Sequence, residues 1–125
     1  MQLEKALIKQ TRLNLSRLEG RILDIVWTSY SSSVAIPPDV LEAMRLRVPP
    51  LKAIVDARAV LLLCERGGGD SIDATELRAI AGGLIWSSHT IIKAYDGQSQ
   101  SGRDALHEVV TSLHKVATAI DNSPR

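Results

Sequence analysis

The stretch Ser71-Ile-Asp-Ala-Thr-Glu-Leu-Arg-Ala-Ile-Ala-Gly-Gly-Leu-Ile-Trp-Ser-Ser-His-Thr-Ile-Ile-Lys-Ala-Tyr95 decides how the fold is read. With a turn at Gly82-Gly83 it is a helix-turn-helix and points to DNA. Read straight through, it is one helix of a bundle. Leu77, Ile80, Ala81, Leu84, Ser88, Ile91, Ile92 and Tyr95 step by three and four without a break, the spacing of one face of a continuous helix. Asp73 reads as its cap, with Glu76 three residues on to complete a capping box and Ile72 and Leu77 spaced as a hydrophobic staple. Asp96-Gly97 reads as the stop. Two glycines inside a helix cost about 1 kcal/mol each relative to alanine, and a plain surface helix has no reason to carry that penalty.

A helix-turn-helix needs a small residue about four positions before the turn glycine and a buried apolar residue about six after it. With the turn at Gly82 those places hold Arg78 and Ser88. With the turn at Gly83 they hold Ala79 and His89, and Gly82 falls among the packing residues. Each register fails at a core position, so the spacing predicts a continuous helix.

Composition sets the outer bounds. The 125 residues suit one domain with one core. Hydrophobic residues make up 45% and charged residues 23%, with a net charge of +1, so nothing draws the chain as a whole toward nucleic acid or an anionic membrane. Phenylalanine is absent and aromatics total 3%, which leaves few platforms for stacking bases. A single cysteine, Cys64, excludes an internal disulfide and suits a reducing compartment. The start, Met1-Gln-Leu-Glu-Lys5, carries acid and is unlike a signal peptide. The most apolar run, Leu51 to Cys64, is broken by Lys52, Asp56 and Arg58 and is too short to span a bilayer. The expected location is the cytoplasm.

The rest of the chain reads as helix. From about residue 3 to 27, Leu7, Ile8, Leu15, Leu18, Ile22, Ile25 and Val26 share a stripe, with Lys5, Lys9 and Arg12 opposite and Gly20 weakening the middle. Thr28-Ser-Tyr-Ser-Ser-Ser33 ends it. Pro37-Pro38-Asp39 opens a short helix to about Arg47, and Pro49-Pro50 opens a third that Gly67-Gly68-Gly69 closes. The last runs from about Ser101 to Ile120 on a stripe of Leu106, Val109, Val110, Leu113, Val116, Ala117 and Ile120. No alternating run bounded by hairpin turns suggests a strand. The third helix carries one apolar face of Ile54, Ala57, Val60, Leu61 and Cys64 and another of Leu51, Val55 and Leu62, which marks it as the centre of the fold. The expectation is an all-α, antiparallel bundle of four to five helices in a single domain over 1–125. A long amphipathic helix over 1–30 is long enough to extend beyond a bundle over 37–120, with its packing on its own bundle or on a partner left open, and 121–125 form a disordered tail.

The chemistry is quiet. His107 and His114 are seven residues apart, hence about 10 Å along a helix, too far to share one zinc ion. No Cys-x-x-Cys or His-x-x-x-His pair accompanies Cys64, which reads as a small core residue. Ser87 and Ser88 beside His89 lack the nucleophile elbow and its strand. Gly67-Gly68-Gly69-Asp70-Ser71 lacks the lysine and strand of a phosphate loop. The carboxylates read as scattered surface acids, with no apolar pocket to raise the pKa of one. No catalytic, cofactor-binding or metal-binding residue is assigned, and the chain reads as a non-enzyme.

What stands out is apolar surface off the stripes. Trp86 lies on the side of its helix that carries Ala79, Gly82 and Gly83, where the glycines would let another backbone approach. In the first helix Leu13 and Trp27 fall outside the stripe, and Tyr30 follows. Tryptophan and tyrosine concentrate binding energy at interfaces. These residues, together with Leu7, form the candidate interface set.

The segment Val48-Pro49, Ala53, Ala57, Leu61 and Leu62, then Leu84, Trp86, His89, Ile92 and Ala94, resembles a small uncharacterised helical-hairpin family of proteobacterial proteins, over about residues 48 to 97. The resemblance implies a small helical accessory protein with no catalytic residues. In architecture the chain is also similar to the small antiactivators that bind quorum-sensing transcription factors. The functional expectation is a module, a homodimer by preference, that masks a transcription factor or similar protein. Leu7, Leu13 and Trp27 enter the target's apolar groove, and Trp86 joins either that surface or a self-association face. The alternatives are a DNA-binding regulator using 73–95, and a secretion or assembly chaperone.

Overall fold

The computed structural model describes residues 5–28, 35–67, 70–94 and 99–122. It is an all-α bundle of five helices: α1 (Lys5–Thr28), α2 (Pro38–Arg47), α3 (Pro49–Glu65), α4 (Ser71–Ala94) and α5 (Ser99–Asp121). No strand occurs among the described residues.

The stripes read from the sequence are the buried faces. Ile8, Leu15, Leu18 and Ile22 of α1 meet Leu51, Ile54, Ala57, Leu61 and Cys64 of α3, Leu77, Ala81 and Leu84 of α4, and Val109, Leu113, Val116, Ala117 and Ile120 of α5 in one core, and Ile25 is buried near the end of α1. Burial from Ile8 to Ile25 spans nearly the whole of α1, so this helix lies along the bundle and does not project past it. α5 packs most extensively on α4, then on α1, while α3 bridges α4 and α1 on the other side. α1 and α4 therefore sit across a diagonal, and the main seam of the core runs between α4 and α5. The second apolar side expected for α3 is only partly used, since Leu51 is buried, Val55 half-buried and Leu62 exposed.

Backbone chemistry sets the corners. Val48 alone joins α2 to α3; as the residue before Pro49 it is extended (φ −82°, ψ 115°), its amide donates to the Met44 carbonyl at 2.8 Å, and its carbonyl accepts from Lys52 at 2.9 Å. Pro49 at the first helical position needs no amide partner. α3 is closed just past its cap Arg66 by Gly67, whose φ of 81° is the left-handed conformation that ends helices and that glycine adopts freely.

The start of α4 corrects the sequence reading. Asp70 is the cap: its carboxylate accepts from the amides of Ile72 (2.9 Å) and Asp73 (3.1 Å), and Asp73 reaches back to the Asp70 amide (3.0 Å). The capping box is thus Asp70 to Asp73, one turn earlier than Asp73 to Glu76, and Ile72 is left 73% exposed instead of stapled to Leu77. α4 then runs unbroken through Gly82-Gly83, which removes the turn that a helix-turn-helix requires. At the other end of the chain, Asp121 is the last helical residue and pairs with Arg78, so the expected tail does not begin there.

Candidate functional site

Polar ties between helices fix how the outer faces are oriented. Glu19, on the edge of the α1 stripe, has a side chain only 7% exposed and receives two arginines. Arg45 of α2 donates through Nε (3.2 Å) and Nη2 (2.8 Å), and Arg58 of α3 through Nη1 (2.9 Å). Burial by itself would raise the pKa of this carboxyl, but the hydrogen bonds and charges of Arg45 and Arg58 outweigh it and hold it below the ordinary glutamate range. The same pairing raises the pKa of Arg45. Sequence reasoning took the acids for scattered surface groups, and Glu19 contradicts it. The available signal was position: Glu19 follows Leu15 by four on the apolar row, and Arg58 interrupts the apolar run of α3.

Arg58 also reaches the Ser16 hydroxyl at 3.3 Å, and Arg12 pairs with Glu65 at 3.0 Å. Pairs 12 with 65 and 16 with 58 make α1 and α3 antiparallel and set Leu62 level with Leu13. Both leucines are exposed, Leu13 by 46%. Exposed Leu46 follows Arg45 in α2, beside the same clamp. On the far side of α1, Asn14 donates to the Ser112 hydroxyl at 2.7 Å in the core and Arg17 pairs with Glu108 at 3.8 Å, making α5 antiparallel to α1.

The expected interface residues are not brought together. Leu7 is half-buried and packs on the core. Leu13 and Trp27 are 14 residues apart on one side of α1, about 21 Å along its axis, and Trp27 is half-buried. Tyr30 lies outside the described residues. Trp86 is 84% exposed on α4, across the bundle from α1. A methyl group built on Gly82 or Gly83 would meet nothing within 4 Å, so nothing among the described residues packs on these glycines. Trp86 and the first-helix residues belong to separate surfaces.

The reactive candidates have ordinary surroundings. Cys64 is buried, and desolvation, then the negative charge of Asp73, pushes its thiol up to about 11, far from a thiolate nucleophile. The Ser87 hydroxyl donates to the Gly83 carbonyl at 2.7 Å within its own helix. Ser88 is buried with no hydrogen-bond partner for its Oγ among the described residues, while His89 points outward. His107 and His114 line a shallow open groove on α5 with Val110, Thr111, Lys115 and Thr118. No group of three or more His, Cys, Asp or Glu is placed to hold a metal among the described residues, and no described helix is long and apolar enough to cross a membrane.

Comparison with protein-family models, curated proteins and solved structures finds no match. Function must be argued from this chain's own surfaces.

Proposed function

We propose that this protein is a non-enzymatic interaction module that binds another protein through the α1–α3 side of the bundle. The observation that carries the reading is the pair Leu13 and Leu62, exposed at one level of two adjacent antiparallel helices. The core beneath them is already closed, so neither leucine is needed to complete it. The Glu19 clamp holds α1, α2 and α3 in fixed relation, which presents these side chains without an ordering cost on binding.

The favoured role is regulatory, with the module masking a surface of a transcription factor or similar protein in the cytoplasm. This target class rests on the likeness of size and helical content to small antiactivators, an analogy of architecture alone. The near-neutral charge and the unbroken α4 argue against DNA as the target.

The test begins with affinity capture and identification, followed by direct titration of the purified partner against wild type, Leu13→Asp and Leu62→Asp. The expected result is at least a tenfold loss of affinity in both variants with unchanged helical circular dichroism. Equal affinity for all three proteins would overturn the assignment of this side. Tight binding to generic duplex DNA at physiological salt would replace it with the DNA reading.

A further inference from the structure

α4 carries two features that its own chain leaves unexplained. Each glycine weakens a helix interior relative to alanine, yet Gly82 and Gly83 face open space and could each accept a methyl group without contact. One turn further on, Trp86 stands 84% exposed, although the opposite side of the same helix is buried through Leu77, Ala81 and Leu84.

We infer that the outer face of α4 pairs with the same face of a second copy of this chain, antiparallel, with the two helices crossing at Gly82-Gly83. The pattern is self-complementary about that point. Ala79 and Trp86 are seven residues apart and nearly in line on the helix surface, and they lie equally far from the glycine pair on either side. A two-fold axis at the crossing therefore sets each indole on the alanine of the other copy, large against small, and sets glycine against glycine. Backbones can then approach more closely than the usual 8–10 Å or so between helix axes.

Shape selects the antiparallel arrangement, because parallel pairing would set Trp86 against itself and leave the two alanines facing each other. Arg78 is engaged by Asp121 within its own chain. Antiparallel pairing also holds the two Glu76 carboxylates about 20 Å apart, well beyond the Debye length of about 8 Å.

The contact is small. Trp86, Ala79, the glycines and their flanks offer on the order of 300–400 Å² per chain, against about 800 Å² per partner in a standard interface. The dimer is a weak, dissociable one. This surface lies across the bundle from the α1–α3 side, so its test is independent of the proposed partner site.

The experiment is sedimentation velocity from about 10 μM to 1 mM, paired with thermal melts at low concentration. Wild type is expected to pass from the 13.6 kDa monomer toward twice that mass. The double variant G82A/G83A is expected to melt several degrees higher, because alanine strengthens the helix and meets nothing, yet to dimerise at least tenfold more weakly. Trp86→Ser is expected to melt like wild type and stay monomeric. A wild type that is monomeric at 1 mM overturns the inference. So does undiminished dimerisation of either variant, and so does a lower melting temperature for G82A/G83A, which would give the glycines a role inside the monomer.

Discussion

Glu19→Gln keeps the shape of the side chain and removes its charge, leaving Arg45 and Arg58 facing a neutral amide. Breaking a buried ion pair by removing one partner costs about 3–5 kcal/mol. The arginines here are 38% and 31% exposed, so water recovers part of that loss and about 2–3 kcal/mol is expected. Against a total stability of about 5–15 kcal/mol for a domain, this is a large fraction, and the melting temperature should fall by about 10 °C. Urea unfolding followed by circular dichroism at pH 7 measures it directly. The pH dependence supplies an independent sign. The folded carboxyl titrates below its ordinary range, so its stabilisation is complete above the unfolded pKa of about 4.3 and is lost as pH falls through the lower folded value. The gap between wild type and Glu19→Gln should therefore be flat from about pH 5 to 8 and close below about pH 4. A gap under about 0.5 kcal/mol at pH 7, the worth of an exposed pair, would refute the claim that this clamp ties three helices together.

Three further outcomes follow from local geometry. Asp70→Ala removes the carboxylate that caps α4 and should cost about 1 kcal/mol in a urea titration, whereas Glu76→Ala, outside the observed capping box, should change stability by less than about 0.5 kcal/mol. Ser112→Ala strands the buried amide of Asn14 and should cost about 1–3 kcal/mol. The double change Asn14→Leu with Ser112→Ala should recover part of that loss, and a double change worse than the sum of its parts would argue against the bond. Cys64, buried with its thiol pushed up to about 11, should resist a thiol reagent at pH 8 until the chain is unfolded in urea; labelling of the native protein at the rate of free cysteine would contradict that placement.

Helix type and the buried faces were legible because both are local. Apolar residues at three- and four-residue spacing must lie on one side of a helix whatever the helix packs against, so Leu77 to Ser88 and Val109 to Ile120 are buried as the spacing predicts. The continuity of α4 through its glycines was legible for the same reason, since both turn registers left a polar or charged residue where packing was needed. The cap was misplaced because Asp70–Asp73 and Asp73–Glu76 have the same spacing, and only the backbone amides reached by the side chains distinguish them.

The sequence by itself determined an all-α chain of four to five helices and the inward side of α1, α4 and α5, together with the off-stripe position of Trp86. Only the tertiary structure decided the order of the helices around the core, because periodicity reports which side is inward but not which neighbour it meets. That order puts α1 and α4 on opposite sides and separates Trp86 from Leu13. It also brings Arg45 and Arg58 from two other helices onto Glu19, an encounter between residues 26 and 39 positions apart in the chain that no local spacing encodes. The glycines show both sides of this division. Their cost is visible in the sequence, but that nothing among the described residues uses the space they open is visible only once the bundle is built.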